Sequence, residues 1–189
     1  MKPQAPAVPT LIVAVSGSRS ITDPRPVNSL LDEIAADAMM RGLALELRLG
    51  DAAGVEAHAL AWARSNSVSR HVCFADERKF GRWMVELKAH ASLPSGVSSF
   101  SCSLPDRGKI TYLDGSFESA ELSASWERDG LTMAGSKRNA AMLYGHPLLG
   151  LRHADLLLAV HDGMSAGTMN CVRQAELMEI EVRYEVIVR

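Results

Sequence analysis

The chain has 189 residues, 47% of them hydrophobic, and a formal charge of −2 at pH 7. It carries enough apolar residues to bury a full core, and its faintly acidic balance excludes the broad basic surface that wraps nucleic acid, leaving room for no more than a local patch. No apolar run approaches the roughly 20 residues of a membrane span, and Cys73, Cys102 and Cys171 are odd in number and lack C-x-x-C spacing, which argues against a disulfide framework or a structural zinc site.

Residues 1–10 form a proline-rich lead without the charged-then-apolar order of a signal peptide, so the chain reads as cytoplasmic. The continuous apolar run 11–15 is the pattern of a parallel strand covered on both faces. After the turn 21–26, Leu30, Leu31, Ile34, Ala35, Ala38 and Met39 recur at helical spacing, predicting a helix over about 27–41 that Gly42 stops. Strand 43–49 alternates apolar and charged residues, which predicts a wetter face or edge. A helix over 55–65 and a strand over 71–75 complete a β-α-β-α-β half.

The pattern then breaks. Residues 77–91 carry an apolar stripe of Phe80, Trp83, Met84 and Leu87 that predicts an amphipathic helix and a homo-oligomer contact. The serine- and glycine-rich stretch 92–125 holds one strand candidate, 110–113, and the whole of about 77–125 reads as an insertion folded as a flap or used between copies. The α/β alternation resumes with a helix containing 138–144, a strand over 155–160, a helix from Thr168 to about Glu179, and a last strand 182–188 patterned as an edge. The fold class is therefore α/β: one doubly wound parallel sheet in a single domain spanning 11–188, with an inserted segment.

Three glycine-rich turns follow predicted strands: Gly17-Ser18-Arg19, Gly50-Asp51-Ala52-Ala53-Gly54, and Gly163-Met164-Ser165-Ala166-Gly167-Thr168. In a parallel sheet with helical crossovers all three lie beyond the carboxyl ends of the strands, where unpaired amides of helix starts favour phosphate or another anion. Thr168 is placed either to cap its helix or to set a hydroxyl beside an anion held by the amides of 167–170. The segment Ala134-Gly135-Ser136-Lys137-Arg138-Asn139 adds a planar fork at Arg138 suited to phosphate and an amide at Asn139 suited to a base or ribose edge. The six histidines show neither H-x-x-x-H nor H-E-x-x-H spacing, so no metal is expected, and His161 alone falls at the predicted ligand edge.

Taken in order, Gly17-Ser18-Arg19, Gly50-Asp51-Ala52-Ala53-Gly54-Val55-Glu56 with Ala59 and Trp62-Ala63, Trp126 with Gly130, Ala134-Gly135 and Arg138-Asn139 with Met142, and Asp162 to Thr168 resemble the motifs of the YspA/YpsA-related branch of the SLOG superfamily. This Rossmann-like group includes the Lonely Guy phosphoribohydrolases and the DNA-processing protein A family. The resemblance covers most of 11–188 outside about 77–125. It implies a domain that binds a nucleotide or nucleotide-derived molecule at its glycine-rich edge, with Trp126 stacking on the ligand, Glu56 standing where the branch usually has Asp, and no further cofactor. In the Lonely Guy enzymes a glutamate three residues after the motif threonine and an arginine carry the hydrolysis of an N-glycosidic bond. Arg138 matches that arginine, and Cys171 stands in place of the glutamate.

The reading is thus a sensor or carrier. The alternative is a phosphoribohydrolase-like enzyme using Asp51 or Glu56 with Arg138, with Asp162 a further carboxylate on the same edge, and a third reading is a module for single-stranded DNA.

Overall fold

Apolar residues on alternate sides of one strand organise the molecule. In the computed structural model, which describes residues 8–74, 99–103, 108–113, 134–145, 152–163 and 165–187, the first strand β1 (Thr10–Gly17) is buried from Leu11 onward. Leu11, Val13 and Val15 pack on α1 (Arg25–Met40) and α2 (Val55–Ser65), through Leu31, Ile34, Ala59 and Trp62. Ile12 and Ala14 face the opposite way, onto Met142 and Leu143 of α3 (Ala134–Tyr144) and Cys171 and Ala175 of α4 (Ala166–Leu177). Both faces of β1 are therefore dry, as its uninterrupted apolar run requires.

The remaining strands are β2 (Ala44–Leu49), β3 (Ser69–Phe74), β4 (Ser99–Ser103), β5 (Gly108–Leu113), β6 (Leu156–His161) and β7 (Glu181–Val186). They form one sheet in the order β4-β5-β3-β2-β1-β6-β7, in which β4 is antiparallel to β5 and every other pairing is parallel. The chain steps outward from β1 to β2 and β3, then returns to the other side of β1 as β6 and β7. This is the doubly wound, Rossmann-like α/β fold, and the point of reversal lies between β1 and β6.

Three expectations change. The alternation in β2 marks an interior strand: Arg48 is 1% exposed, and its Nε lies 3.6 Å from Glu46 Oε1. Its charged face is turned inward and paired rather than wetted. The strand expected at 110–113 exists, but it joins the main sheet beside β3 with β4 outside it, so these two strands extend the sheet rather than build a separate flap. Helix α4 starts at Ala166 rather than Thr168. The helix and stripe expected over 77–91, including Trp83, lie outside the described residues, as does Trp126. The edge position of β7 agrees with its alternation.

The ends of α1, α2 and α4 are built alike. In α1, the N–H of Leu43 donates to the carbonyl of Ala38 at 2.8 Å and that of Gly42 to Met39 at 3.0 Å, with Gly42 at φ +68°. The same double closure ends α2 with Ser67 at φ +53° and α4 with Glu179 at φ +56°, positions where side chains occupy the left-handed turn that glycine usually takes. Among the described residues no helix is long and apolar enough to cross a membrane.

Candidate functional site

The reversal point carries a cleft of about 440 Å³, walled by residues that leave three different strand ends. One wall is the end of β1 and the turn after it: Ser16, Gly17, Ser18, Arg19 and Ser20. Ser18 N–H donates to the carbonyl of Val160 at 3.0 Å, and the Ser18 and Ser20 hydroxyls both donate to the Asp162 carboxylate, the first at 2.9 Å. Asp162 thus ties the loop after β1 to the loop after β6 across the crevice. This is a positioning role, and it spends the carboxylate on the protein's own hydroxyls.

The opposite wall is the first turn of α4. Its cap is Ser165, whose Oγ accepts from the Thr168 amide at 3.3 Å and lies 2.7 Å from the Thr168 hydroxyl. The capping role weighed for Thr168 belongs to Ser165, because the helix begins two residues earlier than its sequence pattern indicates. Met169 N–H is likewise spent on the Ser165 carbonyl at 3.1 Å, so among the described residues the open amides are those of the first positions, Ala166 and Gly167, rather than the whole run 167–170. A Cβ built on Gly167 meets nothing within 4 Å. The helix end faces space. Asn170, one turn on, also lines the cleft and accepts at Oδ1 from Gln174 at 2.7 Å.

The floor is ionic. Arg138 Nη1 donates to Asp51 Oδ1 at 2.5 Å, and Nη2 reaches Asn139 Oδ1 at 3.1 Å and Glu56 Oε1 at 3.5 Å. Glu56 Oε2 accepts the Ala52 amide at 2.9 Å. Asn139 Nδ2 continues to the carbonyl of Gly167 at 3.5 Å, joining the floor to the start of α4. These groups are packed without slack: a Cβ on Gly50 would stand 2.5 Å from Glu56 Oε2 and 2.6 Å from the Arg138 guanidinium carbon.

Electrostatics separates the floor from the rim. Glu56 is 2% exposed, and burial pushes its carboxyl above the usual range although Arg138 and the Ala52 amide pull it down. Burial disfavours the Arg138 cation, but Glu56 and Asp51 outweigh it and hold the guanidinium above its ordinary value. The fork expected to stand free for a phosphate is thus occupied by two carboxylates and an amide, and its Nε is a buried donor without a hydrogen-bond partner among the described residues. Arg19 differs in exposure and in pairing. It lines the cleft, is exposed, and makes no ion pair or side-chain hydrogen bond among the described residues.

The structure therefore brings Gly17, Ser18, Arg19, Glu56, Arg138, Asn139, Ser165, Gly167 and Thr168 into one cleft. Gly50 and Asp51 stand behind its floor. Gly163 does not line the cleft; it follows Asp162 at φ +88°, with its amide donating to His161 Nδ1 at 2.7 Å. That bond fixes the imidazole tautomer, so Nε2–H donates to the Tyr184 hydroxyl, which in turn donates to Met169 Sδ at 3.3 Å. A chain of hydrogen bonds from β7 thereby braces the first turn of α4. No sequence motif marks Tyr184, since its partners are 15 and 23 residues away and meet it across two elements. Ser16 opens the first glycine-rich turn and Asn170 closes the run of amides 167–170, so sequence marked both positions, though not their side chains, which line the cleft.

Cys171 faces the core at 0% exposure beneath Ser16, and burial pushes its thiol up to about 12, with a Ser16 hydrogen bond opposing. Cys73 is also buried, with its thiol pushed up to about 12. Among the described residues no group of three His, Cys, Asp or Glu side chains is arranged to hold a metal ion. No family model, curated protein or solved structure matches the chain.

Proposed function

We propose that the cleft binds a nucleotide or nucleotide-derived small molecule, as a sensor or carrier, with its phosphate between Arg19 and the first turn of α4. The observation that carries this reading is the pairing of an uncommitted arginine with an open helix start on facing walls of a switch-point crevice. The order of motifs that resembles the SLOG superfamily supports the same reading. Serine hydroxyls at 18, 20 and 165 supply further polar contacts, and the ionic floor suits the hydroxyl- and amine-rich end of such a ligand. Mass spectrometry of small molecules released from protein purified without added ligand tests it, together with calorimetric titration of AMP. A chain that carries no nucleotide and gives no heat with AMP overturns the reading.

One observation favours a second reading, hydrolysis of an N-glycosidic bond. Glu56 is a cleft-lining carboxyl with a raised proton affinity, the property a general acid needs, and it stands in for the glutamate missing at Cys171. Steady release of ribose 5-phosphate from nucleoside monophosphates, lost in Glu56→Gln, would establish it. A homo-oligomer belongs to the proposal on the sequence stripe of Phe80, Trp83, Met84 and Leu87. Light scattering that shows a monomer removes that part alone.

A further inference from the structure

Two carboxylates share one guanidinium beneath the cleft, and they share it unequally. Asp51 is held at 2.5 Å from Arg138, whereas Glu56 Oε1 stands 3.5 Å away and Oε2 is occupied by the Ala52 amide. With both carboxylates ionised the cluster has one negative charge in excess, and the less tightly paired group is the one that lines the cleft. The other charged or titratable groups acting on it are Arg19 from the loop after β1, Cys171 from α4 and Cys73 from β3. Both thiols are held protonated by burial, and Arg19 pulls on Glu56 only weakly from the exposed rim, without an ion pair to it among the described residues, so none of these fully supplies the missing countercharge inside.

We propose that Glu56 is the proton-exchanging group of the cleft and that an anionic ligand enters together with a proton. The inference rests on the reading that the ligand is anionic. Such a ligand covers the floor, removes the remaining water and adds a second negative charge, and each change disfavours the ionised carboxylate. Since Oε2 is held by the Ala52 amide at 2.9 Å and Oε1 only loosely by Arg138 at 3.5 Å, the proton resides on Oε1, which then donates an O–H toward the ligand instead of repelling it. Arg138, within reach of Oε1, and Asp51, which holds Arg138, act as positioning residues for the carboxyl. Affinity for the anion then falls as pH rises, by at most about tenfold per pH unit for one linked proton.

Calorimetric titration of AMP, in buffers of differing protonation enthalpy, reads the proton directly. The expected result is greater net proton uptake by the parent than by Glu56→Gln, by up to about one proton per site; protons exchanged by the AMP phosphate itself are common to both proteins. Glu56→Asp, which keeps a carboxylate, is expected to retain uptake. Binding with equal uptake in parent and Glu56→Gln overturns the inference while leaving the nucleotide reading intact. Absence of AMP binding overturns the nucleotide reading, and Glu56 is then judged on the free protein by carbon NMR of labelled glutamate carboxyls. A resonance missing in Glu56→Gln that titrates above the ordinary glutamate range, and moves higher with sulfate, supports the proposal; titration within that range, or no response to sulfate, overturns it.

Discussion

Arg19 and Arg138 show how one residue type takes opposite tasks according to burial. Arg19 is exposed at the rim with no ion pair or side-chain hydrogen bond among the described residues, so under the proposed function Arg19→Ala removes an attraction for the ligand and little else. Its expected cost is about tenfold in AMP affinity, or ~1.4 kcal/mol, declining with added salt, and a melting temperature near that of the parent. Calorimetry at two salt concentrations checks this. Arg138 is 8% exposed and neutralises Asp51 and Glu56 from within, so Arg138→Ala strands buried carboxylates. A stability loss of about 3–5 kcal/mol is expected by denaturant unfolding, because removing one member of a buried pair leaves an uncompensated charge. An unchanged unfolding midpoint would mean that the floor is wetter than its geometry indicates.

Elements meet at the cleft through their ends, and two substitutions probe those ends. Gly54 precedes α2 at φ +75°, and a Cβ there would strike the backbone of Ser18 and Arg19, so Gly54→Ala is both strained and obstructed. The expected loss exceeds about 1 kcal/mol, and the loop after β1 must shift to relieve it, weakening AMP binding as well. Ser165→Ala removes the cap of α4 and its contact with Thr168, at an expected cost of about 1 kcal/mol in unfolding free energy. A variant as stable as the parent would show that the helix start is held mainly by the brace from His161 and Tyr184.

For the molecule as a whole, burial sets the response to pH and to thiol reagents. The Glu56 carboxyl has a higher proton affinity folded than unfolded, so the native chain keeps a proton that the unfolded chain releases. This term does not penalise folding below the unfolded carboxylate range, but it erodes stability as pH rises through the folded value. Measured from pH 4 upward, the parent should lose stability relative to Glu56→Gln. Asp155, lowered by Arg152 and the Ile12 amide against the effect of burial, works the other way: its contribution is present above the unfolded range and is lost as pH falls through the folded value. Cys73 and Cys171, both pushed up to about 12, should resist a disulfide reagent near neutral pH until the fold opens. In a Cys102→Ser background, rapid labelling of the native protein would contradict this packing.

Much of the fold was legible locally. The continuous apolar run of β1 and the helical spacing of Leu31, Ile34 and Ala38 reflect constraints that act within a few residues, and such patterns placed the described elements in order except β4, which no pattern announced. The glycine turns likewise marked the cleft, since strand ends in a parallel sheet share one edge. Partnership was not legible. Whether Arg48 meets water or Glu46, whether Arg138 meets phosphate or Asp51, and that Tyr184 braces α4 through His161 depend on side chains brought together across the sheet. A charged residue carries the same local signal at a wet rim and in a buried ion pair. Sequence by itself determined the α/β alternation and the edge at which the cleft lies, because backbone geometry and hydrophobic periodicity are short-ranged; the tertiary structure alone decided how the charges there are paired, because pairing and desolvation belong to the assembled fold.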